Sequence, residues 1–133
     1  AESVVFFKPE LAKDFEYLQK QCMQMVSKMR FIAVQFKALL ADGLWRWNAT
    51  HANDMALFLA RRLKEEIGLE PEYPVETNSV FVRFTKEQVK KLLEEYFVYE
   101  WDNNGLVRFM ASFDTAEEDI EELIKYIKVI CLR

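Results

Sequence analysis

Glycine and proline are scarce, three of each among 133 residues, which excludes a collagen-like, low-complexity or loop-dominated chain and favours a few long elements. Cysteine is scarcer still. Cys22 and Cys131 lie far apart, without the CxxC or Cys/His spacing of a zinc site, so both are expected as reduced core thiols. No apolar run approaches the roughly 18–20 residues that span a bilayer, and no basic-apolar-small signal opens the chain. A cytoplasmic location away from membranes is the expectation. No basic run exists either, which removes nucleic acid as the main partner, since phosphate affinity needs several convergent Lys and Arg. There is a single histidine, His51, and no HExxH, GxSxG or phosphate-cradling glycine loop. Neither a metal site nor a catalytic residue is expected, and His51 reads as a surface or interface residue.

What the chain does have is apolar and charged residues in globular proportion, 51% and 30%, with 14% aromatic. A chain of this size buries roughly two-thirds of its unfolded surface, enough for a core without staples. The formal charge is −4, and it is uneven: residues 1–48 carry 7 basic and 5 acidic groups, leaving 11 and 17 for the remainder.

The opening, Ala1-Glu-Ser-Val-Val-Phe-Phe7, lacks an initiator Met and runs into a short apolar stretch that reads as a strand buried on both faces of a parallel sheet. Its neighbours are expected from sequence outside the chain. Pro9 suits the first position of a helix over roughly 9–24. A second helix follows from Met25, with Met29, Ile32, Ala33, Phe36, Leu39 and Leu40 at helical spacing and Asp42-Gly43 as the stop. A third starts near Leu44 or Asn48, carries Ala52, Met55, Ala56, Leu59 and Leu63 on one face, and ends at Gly68. Beyond a proline-bearing connector, Ser79–Phe84 reads as a strand, and Thr85-Lys-Glu-Gln88 as the capping box of a helix. Phe97–Trp101 and Leu106–Ala111 flank Asp102-Asn-Asn-Gly105, a hairpin signal. Thr115-Ala-Glu-Glu118 reads as a second capping box, opening a last helix with Ile120, Leu123, Ile124, Ile127 and Cys131 inward. The fold class is therefore α+β: one small domain over 1–133, with a strand and long helices in 1–68 and a β-α-β-β-α unit with a mainly antiparallel sheet in 69–133.

Among candidate residues, Arg108 stands out. Alternation puts it on one sheet face with Met110 and Ser112, where a guanidinium could grip a carboxylate with two parallel hydrogen bonds. Spacing alone favours instead a snorkelling arginine paired with a surface acid. Arg83 meets the same alternative with less to recommend it, and Arg30 lies near a helix start where an anion could bind. Thr77-Asn78 reads as turn chemistry, and Asn48, Thr50 and Asn53 as capping or solvated residues. Trp45, Trp47 and Phe58 read as packing or interface, and Glu117–Glu122 as an acidic helix N-terminus.

Six stretches occur in one order: Val4–Phe7, Lys20–Phe36 (KQCMQMVSKMRFIAVQF), Leu39–Trp45 (LLADGLW), Asn48–Asn53 (NATHAN), Thr77–Val82 (TNSVFV) and Val107–Asp114 (VRFMASFD). Together they resemble the C-terminal part of low-specificity threonine aldolases, within the β-eliminating lyases of the fold-type I pyridoxal-phosphate architecture. The resemblance covers nearly the whole chain. It implies that the large cofactor domain, with its Schiff-base lysine, ring-stacking residue and phosphate loop, is absent from this sequence, and that the isolated chain is inactive.

In the intact enzyme the resemblance implies pyridoxal phosphate, an amino-acid substrate and a homo-oligomer. It puts Arg108 at the family's substrate-carboxylate arginine and Arg30 at an arginine near the cofactor side of the subunit interface. The residues after Arg108, Phe-Met-Ala-Ser-Phe113, depart from the family's Leu-Val-Thr-His, which leaves the substrate and the choice between aldol cleavage and β-elimination open. The alternative class is a non-catalytic β-α-β-β-α regulatory or amino-acid-binding module. Self-association through Val4–Phe7 or the faces of the second and third helices is a further expectation.

Overall fold

The computed structural model describes residues 2–131. The chain divides into two compact units, the first reaching Trp45 and the second starting at Arg46. The first holds a 3-10 turn, Pro9–Ala12, then α1 (Phe15–Gln21) and α2 (Met29–Leu40), and a second 3-10 turn, Ala41–Gly43. None of its described residues is buried.

Two expectations fail in this unit. Val4–Phe7 forms no strand: a strand buried on both faces needs hydrogen-bonded neighbours, these residues have none, and Val4 and Val5 are 63% and 68% exposed. The single helix over 9–24 is broken instead. Asp14 adopts a left-handed backbone (φ 61°), which separates the Pro9 turn from α1, and Met23 (φ 56°) ends α1 the same way. The stop after α2 is where the sequence indicates, with Asp42 at φ 51° and Gly43 at φ 74°.

The second unit contains the core. Following α3 (Leu44–Ile67) come β1 (Ser79–Arg83), α4 (Lys86–Glu95), β2 (Tyr99–Glu100), β3 (Leu106–Met110) and α5 (Glu117–Cys131), the β-α-β-β-α order expected. The sheet is antiparallel in the order β1-β3-β2. Val80, Val82, Val107 and Phe109 point inward and join Leu63 of α3, Leu92 of α4 and Ile127 of α5 in one cluster. Each such apolar side chain stabilises the fold by about 1.5–3 kcal/mol through burial. The predicted face of α3 is buried at all five positions, and Ile130 joins the α5 face at 8% exposure.

Local chemistry explains the boundaries. Thr85 Oγ1 accepts the Gln88 N–H while the Gln88 side chain accepts the Thr85 N–H, the full capping box. The box expected at Thr115 does not form. Thr115 Oγ1 instead accepts the Ser112 N–H at 2.8 Å, and α5 begins one residue later with Asp119 accepting the Ala116 N–H, also at 2.8 Å. Arg62 bonds Glu121 across to α5 at 2.9 Å, and Lys128 returns to Glu66 at 2.9 Å. Of the two expected core thiols, Cys22 is exposed, while Cys131 is half-buried and packs against the core, its thiol pKa raised by that burial.

Candidate functional site

The β2–β3 hairpin builds the site. Its turn is closed by a side chain: Asp102 Oδ1 accepts the N–H groups of Asn104 (2.9 Å) and Leu106 (3.0 Å). Gly105 sits at φ +83° with its Cα side against the Phe84 carbonyl, where an added Cβ would come within 2.1 Å of that oxygen. The resulting register sets Phe81, Arg108 and Tyr99 in one row across the three strands. Val80 and Val82 are buried, so this row lies on the sheet face opposite the core.

Arg108 is half-buried and flanked by two rings. Its Cζ lies 4.9 Å from the Trp101 ring centroid and 5.4 Å from that of Tyr99. Its Nε is buried without a hydrogen-bond partner, and the side chain makes no ion pair among the described residues. A buried donor left unmade costs about 1–3 kcal/mol. The surface acid that spacing offered as its partner is absent from its side. An unsatisfied guanidinium edge between two aromatic faces is instead a ready receptor for a carboxylate approaching in the guanidinium plane.

Arg83, on the same face, contrasts sharply. Nε and Nη2 grip both Glu72 oxygens at 3.3 and 3.2 Å, and Nη1 reaches Asp102 at 3.3 Å and the Asn104 carbonyl at 3.1 Å. Hydrogen bonding to Glu72 raises its pKa, and the Leu106 N–H, the Asn104 N–H and Arg83 together lower that of Asp102. Arg83 is structural, as its weaker case suggested.

Beside Arg108 opens a cavity of about 490 Å³ whose walls are mostly apolar, including Met55 and Leu59 of α3, Leu123 of α5 and Phe97. Arg108 is the one cation among its lining residues. The floor near the end of β3 is clamped: His51 Nε2 donates to the Thr115 carbonyl at 2.8 Å, and Asn78 Nδ2 donates to the Ala111 carbonyl at 2.7 Å. His51 also stacks on Trp47, centroids 5.7 Å apart and planes at 9°. Thr77 makes the local turn contact expected, its Oγ1 accepting the Ser79 N–H at 3.4 Å, whereas Asn78 reaches a residue 33 positions away, and His51 is a packing residue bonded to Thr115.

Arg30 stands exposed on α2 in the other unit, its guanidinium 5.1 Å from the Phe31 ring. The site described here is built within the second unit alone. Pyridoxal phosphate needs a lysine amine and a run of backbone N–H groups for its phosphate. The cavity lining has no lysine and no glycine, and Gly43, Gly68 and Gly105 stand far apart in sequence. These residues do not fit the cofactor; they fit a carboxylate. Sequence reasoning missed Tyr99 and Trp101. Counting outward from Asn103-Asn104 pairs Tyr99 with Arg108, so hairpin symmetry carried that signal.

Two relatives match 130 residues of the chain, 97% of it, at 37% and 36% identity. Both are low specificity L-threonine aldolases, from a Pseudomonas species and from Pseudomonas aeruginosa. The chain resembles the C-terminal part of low specificity L-threonine aldolases. It spans 38% of the length of each of these relatives. A solved threonine aldolase from Leishmania major matches 92% of the chain and 37% of its own at a TM-score of 0.80 and 24% identity, which shows the shared α+β fold. No family model matches. Among the described residues no helix is long and apolar enough to cross a membrane, and no cluster of His, Cys, Asp and Glu could hold a metal ion.

Proposed function

We propose that the chain is the C-terminal domain of a pyridoxal-phosphate-dependent lyase that cleaves β-hydroxy amino acids, threonine giving glycine and acetaldehyde. In this reading the cofactor is held by residues outside the chain, and the chain supplies the substrate-carboxylate anchor and subunit contacts. The likeness to threonine aldolases supports the reaction class. The observation that carries the site is the buried, unpartnered Nε of Arg108 between Tyr99 and Trp101. Arg30 is assigned to the cofactor side of the subunit interface on the resemblance alone.

Arg108 acts by holding, not by proton transfer. A guanidinium stays charged across the working pH range, so it offers donors and no base. Two parallel hydrogen bonds fix a substrate carboxylate in the plane of the guanidinium, and with it the orientation of the α-carbon. The Tyr99 and Trp101 rings stand against that pair and limit how the arginine can turn.

The test uses the protein expressed from the complete reading frame, with threonine cleavage followed as acetaldehyde release. Arg108→Ala raises the threonine KM by about tenfold to a hundredfold, the loss of a hydrogen-bonded charge pair, and Arg108→Lys recovers only part of it. An unchanged KM overturns the anchor. The isolated 133-residue chain mixed with pyridoxal phosphate releases no acetaldehyde; stoichiometric, borohydride-trappable labelling of one lysine contradicts the placement of the cofactor outside it.

A further inference from the structure

The two rings beside Arg108 each belong to a short series of ring contacts. Trp101 meets Phe81 edge-on (5.4 Å, 80°), Phe81 meets Tyr73 (5.6 Å, 78°), and on the other side Tyr99 meets Phe97 (5.4 Å, 76°). Trp101 is 58% exposed, so the core does not hold it. The hairpin holds it. Its N–H bonds the Leu106 carbonyl, and the next residue, Asp102, is fixed by the turn N–H groups and by Arg83, itself anchored to Glu72. A chain of contacts therefore runs from Glu72 through Arg83 and Asp102 to the ring that covers Arg108.

We infer that Trp101 is a positioning residue for ligand recognition: its ring, placed by the Arg83–Asp102 pair, fixes the plane of the Arg108 guanidinium so that the N–H edge faces an incoming carboxylate. This rests on the reading of Arg108 as a carboxylate anchor and extends it to how the anchor is oriented. A guanidinium stacked on an aromatic face keeps its in-plane donors free while its face is shielded from water. Without the ring, the long side chain regains rotamers that point elsewhere, and each binding event must select the productive one. Phe81 and Tyr73 brace the ring from the far side, and Tyr99 limits the arginine from the other.

The test is a titration of the ¹⁵N-labelled 133-residue chain with acetate, following the Arg108 Nε–H resonance, assigned by its loss in Arg108→Lys. Wild type and Trp101→Phe bind acetate alike, because a phenyl face restores the stack. Trp101→Leu weakens binding about threefold to tenfold, the worth of an aromatic–cation contact, while the backbone spectrum keeps its dispersion. Asp102→Asn, which loosens the hairpin without touching either ring, weakens binding in the same direction by less and decides the matter if Trp101→Leu does not fold. Acetate binding unchanged in Trp101→Leu, or in Asp102→Asn where that variant decides, overturns the positioning role and leaves the anchor standing. An Arg108 Nε–H that does not respond to acetate in wild type overturns the anchor, and this inference with it.

Discussion

Arg83 and Arg108 stand on one face of one sheet, on paired strands, yet they live in opposite surroundings. Arg83 has an acceptor for every direction it points: both oxygens of Glu72, the Asp102 carboxylate and a backbone carbonyl. Arg108, one residue row away, has two rings and a buried Nε without a partner. What surrounds each charge sets its role. A cation satisfied by the fold's own acids ties loops together; one with a buried Nε and no acid beside it keeps its donors open to a ligand. Residue type and sheet face are shared, so function here lies in the partner set.

Breaking the hairpin that carries Arg108 and, through Asp102, holds Arg83 has the largest effect. Gly105→Ala forces a Cβ to 2.1 Å from the Phe84 carbonyl at a left-handed backbone, and costs about 3 kcal/mol or more in chemical denaturation, strain and clash together. Both arginine sites disorder with it. Next comes Arg108→Ala, which removes an unmade donor rather than a made bond. It leaves the urea midpoint unchanged or slightly raised, while the carboxylate response disappears; a marked drop in midpoint means Arg108 holds the fold as Arg83 does.

Arg83→Ala gives the mirror image at smaller scale. The melting temperature falls because Glu72 and Asp102 lose their shared cation, but Arg108 still binds carboxylate, more weakly. Equal loss of binding in the two alanine variants erases the distinction. The smallest effect is in acid. The Leu106 N–H, the Asn104 N–H and Arg83 lower the Asp102 pKa, so the folded state holds this carboxylate ionised more tightly than the unfolded state does. That stabilisation is fully present above the ordinary aspartate value of about 4 and is lost as pH falls through the lowered one. Asp102→Asn removes this part of the acid transition, and an unaltered profile shows that the turn does not depend on its charge.

The second unit was largely legible because its signals are local and agree with one another. The α3 face, the Thr85–Gln88 box and the hairpin each follow from spacing within a few residues, and the core completes them. The first unit was not. Val4–Phe7 reads as a buried strand only if other strands flank it, and the broken helix at Asp14 turns on one left-handed residue that no periodicity announces. At the site, alternation placed Arg108 on the outer face, but it could not say which arginine finds an acid. Glu72 and Arg83 are eleven positions apart, with proline-bearing connector and most of β1 between them, a meeting beyond the range of any motif. Thr115 shows the same limit in miniature: its hydroxyl was claimed by Ser112 behind it rather than by the helix ahead.

The most direct test of the account is to follow the Nε–H resonances of both arginines in the 133-residue chain during one acetate titration. A saturating shift is expected at Arg108 and none at Arg83, whose donors are already occupied. A silent Arg108, or the same gradual drift at both, contradicts it.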